Sequence, residues 1–152
     1  MPGWVGSIED LLQSAEDANK RAYAPYSGFH VGAAVLTSTD RVFVGANVES
    51  APYEVIHAEQ AAIVNANAAG HRDFVALALF ARRNGSDTAT FTTPCGTCRQ
   101  LLFEFASLQG TDIEILLATT RLDVIRLTSI SALLPGAFGP MDLGIDLSKW
   151  RR

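Results

Sequence analysis

The chain has 152 residues, 48% of them hydrophobic, a formal net charge of −4 and a pI near 5.3. That length fits one domain, 1–152, with a sizeable core, and this composition excludes a disordered chain. The positive charges are scattered, with arginine doublets only at Arg82-Arg83 and Arg151-Arg152, which argues against a nucleic-acid partner needing a basic face.

No apolar stretch is long and uncharged enough to span a bilayer, so no membrane partner is expected. Met1 to Gly6 lacks the basic and then apolar pattern of a secretory signal. The expected compartment is the cytoplasm, where reduced thiols suit a metal site better than a disulfide.

Ser7 and Asp10 open the first predicted helix with a capping-box-like pair. Ile8, Leu11, Leu12, Ala15, Ala18 and Ala22 recur at helical spacing, so the helix is predicted from Ser7 to Tyr23, with Pro25 ending it. Phe29 to Leu36 reads as a buried strand. Val42-Phe43-Val44 reads as a second, and the short Thr39-Asp40 connection predicts an antiparallel hairpin. Gly45 to Glu49 is expected to leave that strand and enter a loop.

A second helix is predicted from His57 to Ala69. Beyond Glu59 it carries no charge and is half alanine, read as the pattern of a helix buried all round. Gly70 stops it. Phe74 to Ala81 is a third strand, Arg82 to Asp87 a turn, and Thr88 to Thr93 a short extended piece. A third helix begins at Pro94-Cys95 with Leu101, Leu102 and Phe105 as its buried stripe. Ile113 to Ala118 and Leu122 to Leu127 are the last strands, and Ser129 to Leu134 forms one helical turn. This order predicts an α/β fold, a three-layer α/β/α domain with a five-stranded mixed sheet.

The chemistry concentrates in two stretches. The only two cysteines lie in Pro94-Cys95-Gly96-Thr97-Cys98, and His57-Ala58-Glu59 supplies an imidazole and a carboxylate. Cys95 and Cys98, three apart at a helix start, share one face, where free N–H groups and the helix dipole favour thiolates. His57, Cys95 and Cys98 are therefore candidate ligands for one Zn²⁺ per subunit. Three protein ligands leave a position open for water, which marks a catalytic rather than a structural zinc site. Glu59, two residues from His57, points away from the metal and is the candidate acid/base. Either motif alone is weak, since C-x-x-C is also a redox pair and a lone histidine is usually a packed side chain. Together they match H-x-E…P-C-x-x-C, the signature of zinc nucleobase deaminases.

On these motifs the chain resembles the cytidine deaminases that act on free nucleosides, over a span from Ala22-Tyr23-Ala24-Pro25-Tyr26-Ser27 to Gly139. The resemblance implies hydrolytic deamination of cytidine and 2′-deoxycytidine to the uridines, with a metal-generated hydroxide attacking C4 and Glu59 shuttling the proton. It implies that Phe29, in Phe29-His30-Val31-Gly32-Ala33-Ala34, packs near ribose and base, and that Asn47 and Glu49 hold the ribose 3′-hydroxyl. It implies that the Ala58 N–H meets the cytosine O2 and the Thr93 carbonyl accepts from the C4 amino group. Phe138, in Leu134-Pro135-Gly136-Ala137-Phe138-Gly139, would enter a neighbouring subunit's site, and Tyr53 would approach the ribose from a neighbour.

His57-Ala58-Glu59-Gln60 matches the H-A-E-Q of the family's long dimeric branch, whereas the length matches the short homotetrameric branch. The expected assembly is a homotetramer, with a dimer as the alternative. Arg99 is expected to donate to a cysteine sulfur from outside the ligand set. Glu49-Ser50-Ala51-Pro52-Tyr53 departs from the short branch's E-N-A-S-Y and has one residue fewer before the first zinc ligand. Three rival readings stay open: a relative acting on a cytosine-like antibiotic, a polynucleotide deaminase and a non-catalytic zinc-stabilised module.

Overall fold

A computed structural model describes residues 6–151. Met1 to Val5 of the stretch read for a secretory signal, and Arg152 of the last arginine doublet, lie outside the described residues.

Helix α1 spans Ile8–Asn19. The Ser7 hydroxyl accepts from the Asp10 amide (3.1 Å), and the Asp10 carboxylate accepts from the Ser7 amide (2.7 Å). This reciprocal cap satisfies two of the helix's free donors. The helix stops at Asn19 rather than running to Tyr23, because the Tyr23 backbone has other partners. Its N–H donates to the Asn47 carbonyl and its carbonyl accepts from the Glu49 amide, both at 2.9 Å.

Strands β1 (Phe29–Thr37) and β2 (Val42–Ala46) form the expected antiparallel hairpin. Two short strands follow, β3 (Val48–Glu49) and β4 (Val55–Ile56), which pair with each other. A loop was expected there; the backbone instead closes its own two-stranded ribbon. Helix α2 covers Ala58–Ala68, β5 Phe74–Arg83, α3 Gly96–Gln109, β6 Glu114–Ala118, β7 Ile125–Ser129 and α4 Ile130–Leu133. Thr88 to Thr93 is not a strand. It is a loop held at one end by Thr88 and Thr120, whose hydroxyl accepts from the Thr88 amide at 2.8 Å.

The main sheet runs β2-β1-β5-β6-β7. Only β5 and β6 pair in parallel, which requires the α3 crossover between them; the other neighbours are antiparallel. Side chains alternate across the sheet. Ala33, Val35, Leu77, Leu79, Ile115 and Leu117 join the α2 and α3 core, whereas Ala34, Leu36, Ala76, Ala78 and Leu116 pack under α1. The three expected layers and the five-stranded mixed sheet are thus present.

Two glycines set how closely the layers approach. A Cβ at Gly32 would lie 2.0 Å from the Ala15 carbonyl oxygen, so α1 rests directly on the β1 backbone. A Cβ at Gly45 would lie 2.3 Å from the Ala58 carbonyl oxygen and 2.4 Å from the Ala62 nitrogen. The absence of a side chain at Gly45 is what seats the start of α2 against β2. The expectation that α2 is buried all round is corrected. Ala58, Ala62, Ile63 and Ala66 are buried, but Val64 is 61% exposed, because one chain covers only the sheet-facing side. No helix among the described residues is long and apolar enough to cross a membrane.

Candidate active site

Two helix starts meet beside the sheet. His57 is the N-cap residue of α2, Cys95 is the N-cap residue of α3, and Cys98 lies in the first turn of α3. The His57 amide donates to the Gln60 side chain at 2.9 Å, fixing the entry into α2. His57 Nδ1 faces both thiols, 3.2 Å from Cys95 Sγ and 3.3 Å from Cys98 Sγ. The donor atoms of all three residues lie within 4.8 Å of one another.

This donor set fits zinc. With Zn–S near 2.3 Å and Zn–N near 2.0–2.1 Å, a tetrahedral site has S···N edges of about 3.5 Å, close to the observed spacing. One imidazole and two sulfurs are ligands of zinc's intermediate softness. Burial, then the nearby Glu59 charge, pushes the Cys98 thiol far above its ordinary value. Without a cation beside it this thiol stays protonated, so metal binding must displace its proton.

Glu59 stands on the first turn of α2 and is only 4% exposed. Burial pushes its carboxyl up, partly offset by its own backbone N–H and by His57. A buried carboxyl next to a metal site, with its proton affinity raised, suits proton transfer near neutral pH.

His57, Ala58, Glu59 and Cys95 line one end of a cavity of about 480 Å³. Phe29, Asn47, Glu49, Tyr53 and Thr93 line the same cavity. Its volume falls in the range of small-molecule sites. Asn47 is buried and braces β1: its Oδ1 accepts from the Val31 amide (2.8 Å) and its Nδ2 donates to the Phe29 carbonyl (2.9 Å). One donor and one lone pair of that amide remain for another partner. Glu49 accepts from the Tyr26 and Ser27 amides (2.9 and 3.1 Å) and from the Ser27 hydroxyl. The Ser27 hydroxyl, followed by those amides, holds its carboxyl below the usual range against the opposing effect of desolvation. Tyr53 is 88% exposed at the mouth and has a φ of +61°.

Two further residues named from the sequence lie outside the lining of this cavity. Phe138 is 60% exposed and is not among the residues lining this cavity. Arg99 does not donate to a sulfur. Its Nε donates to the Pro94 carbonyl (2.6 Å), its Nη1 to the Leu133 carbonyl (3.0 Å) and its Nη2 to the Thr93 hydroxyl (3.0 Å). Oxygen acceptors on the adjoining loop and on α4 take the guanidinium's donors before a weakly accepting sulfur can. The sequence reading also missed Tyr26, Ser27 and Arg83 as lining residues. Arg83 pairs across the sheet with Phe29, and its guanidinium lies 5.9 Å from that ring's centre. Strand register is the one signal that could have joined them. Nothing local links Ser27 to Glu49, 22 residues away.

A mixed sheet with two helix starts converging on a His/Cys/Cys cluster, and a buried glutamate beside it, defines a zinc-dependent deaminase. Residues 6–109 match the family model described as the cytidine and deoxycytidylate deaminase zinc-binding region. The cytidine deaminase of Halalkalibacterium halodurans is 40% identical over 134 residues, covering 88% of this chain and 95% of that protein. The crystal structure of cytidine deaminase from Burkholderia pseudomallei has a TM-score of 0.77 at 39% identity, covering 88% of this chain and 100% of that one. That from Mycobacterium tuberculosis has a TM-score of 0.70 at 34% identity, covering 88% and 98%. The chain belongs to the cytidine and deoxycytidylate deaminase family.

Proposed function

We infer that the chain hydrolyses cytidine and 2′-deoxycytidine to uridine and 2′-deoxyuridine with release of ammonia, a step of pyrimidine nucleoside salvage. The observation that carries this reading is the His57/Cys95/Cys98 cluster with buried Glu59 at the end of a nucleoside-sized cavity.

His57, Cys95 and Cys98 hold the zinc ion, which when bound acidifies water and so supplies the nucleophile near neutral pH. Glu59 takes a proton from the attacking water and delivers it to N3 of the ring as the C4–O bond forms. It then takes the proton of the new C4 hydroxyl and gives it to the departing amino group as the C4–N bond breaks and the C4 carbonyl forms, so one water enters and one ammonia leaves. The Ala58 amide, at a helix start, donates to the cytosine O2. The Thr93 carbonyl accepts from the amino group, and Arg99 holds Thr93 in place. Phe29 packs against ribose and base, and Asn47 with Glu49 grips the 3′-hydroxyl. Losing that hydroxyl would leave buried polar groups unpaired, which is how such a grip discriminates.

The 1–152 chain acts as a single domain in the cytoplasm. It assembles as a homotetramer, or as a dimer, because Phe138 completes a neighbour's site, whereas Tyr53 lines the cavity of its own chain. The exposed Phe138 ring outside its own chain's cavity supports this. The test is the ultraviolet absorbance change on mixing with cytidine, with zinc content measured on the same sample. Conversion to uridine is expected. A folded, zinc-loaded protein that leaves cytidine unchanged would overturn the reading.

A further inference from the structure

The Phe138 ring is exposed, but the backbone that carries it is held in place. Its carbonyl accepts from the Gln100 side chain at 2.8 Å. The next residue, Gly139, donates its amide to Asp142 at 2.7 Å and lies flush against α3, where an added Cβ would be 2.5 Å from the Phe103 ring. Upstream, the Leu133 carbonyl is held by Arg99. The segment carrying Phe138 is therefore fastened at both ends to the first turns of α3, while the ring itself points into solvent. A rigid backbone with an exposed aromatic side chain is the form of a pre-organised anchor, which binds without having to be ordered first.

We propose that Gln100 is a positioning residue: through its single hydrogen bond to the Phe138 backbone it aims that ring at the nucleoside cavity of another copy of this chain. This rests on the reading that Phe138 completes a neighbour's site, and it adds the device that holds it there. The same helix turn carries Cys98 in one direction and clasps the outgoing segment in the other. One short piece of α3 thus serves its own chain's metal cluster and, through Phe138, a second cavity. Arg99 is the less clean probe, because its fork also holds Pro94 and the cavity-lining Thr93 of its own chain. Gln100 is exposed and makes no such contact.

The experiment is a double-mutant cycle with Gln100→Met and Phe138→Ala, read as KM and kcat for cytidine, with zinc content and assembly size measured on each variant. Methionine keeps the side-chain length and the helix preference but removes the donor. A neutral hydrogen bond of this kind corresponds to a change of about 2- to 10-fold. Gln100→Met is expected to raise KM by that factor with kcat, zinc and assembly unchanged, and to add nothing once Phe138 is alanine. If Phe138→Ala raises KM but Gln100→Met does not, or if the two effects simply multiply, the positioning role is overturned while the reading of Phe138 stands. If Phe138→Ala leaves KM unchanged, the reading of Phe138 falls and takes the proposal with it.

Discussion

Glu59 is a buried carboxyl whose removal tests the chemistry without removing a ligand. Glu59→Gln preserves shape and is expected to fold and retain zinc while kcat drops by about 10²- to 10⁴-fold, the usual worth of a positioned acid/base. Metal analysis beside a rate measurement checks it; loss of zinc would make Glu59 structural. Cys98 gives a second expectation at this scale. Its thiol is pushed far up, so zinc uptake releases protons and the affinity for zinc rises with pH. Proton release followed calorimetrically in two buffers of different ionisation enthalpy reads this directly, and no release would mean the thiol was already ionised. His57, Glu59, Cys95 and Cys98 were legible in the sequence because their meaning lies in short spacings at helix starts. The contact of Arg99 with Leu133 was not, since the two lie 34 residues apart. The bracing of β1 by Asn47 spans 16 to 18 residues. Spacing along a chain does not report contacts of that kind.

The helices sit where glycines let them sit. Gly45→Ala would drive a methyl group into the α2 backbone at Ala58 and Ala62. Overpacking of this sort costs about 1–3 kcal/mol. Because α2 also carries His57, the variant is expected to lose zinc affinity as well as stability. Denaturant unfolding together with a zinc titration checks both, and an unchanged zinc affinity would mean α2 does not transmit the shift to its cap. A second join ties β6 to α4 through Asp112, which accepts from the Ile113 amide (2.9 Å) and from the Ser131 amide and hydroxyl. Desolvation raises its carboxyl, but the Ser131 and Ser129 hydroxyls and the two amides outweigh it, so the net shift is downward. A depressed carboxylate contributes stability that is fully present above its unfolded value and is lost as pH falls through its folded value. The stability gap between wild type and Asp112→Asn is therefore expected to hold above about pH 5 and to close in more acid solution. A gap that persists in acid would assign the effect to something other than the charge. Element existence and order were readable from apolar periodicity. The end of α1 and the β3–β4 ribbon were not, because both are decided by backbone bonds between distant segments, Tyr23 to Asn47 and Glu49 among them.

Across the whole molecule, the layered architecture followed from the alternation of helix-period and strand-period segments, and it placed both helix starts on one face. What the chain alone did not disclose is the open outer side of α2, since a helix rich in alanine and uncharged beyond Glu59 reads as interior whether its cover comes from its own chain or from another. Zinc acts at this scale because its ligands come from two helices. At a thousandfold excess of free zinc over its Kd the native state gains about 4 kcal/mol. For a chain of this length that is a rise in Tm of about 8–16 °C. A chelator is expected to reverse it, and a Tm indifferent to the chelator would remove zinc from the fold's support.

His57 is separated from Cys95 by 38 residues and from Cys98 by 41, and the whole of β5 lies between. All three side chains can grip one ion only after β5 has paired with β1 and α3 has returned beside the sheet. An ion held by all three therefore stabilises contacts that depend on those non-local pairings, and is expected to act after the barrier to folding. Zinc is expected to leave the refolding rate unchanged and to slow unfolding, acting as a latch on a door already shut. The protein's working lifetime would then be set by how fast the ion escapes as much as by how well the core is packed.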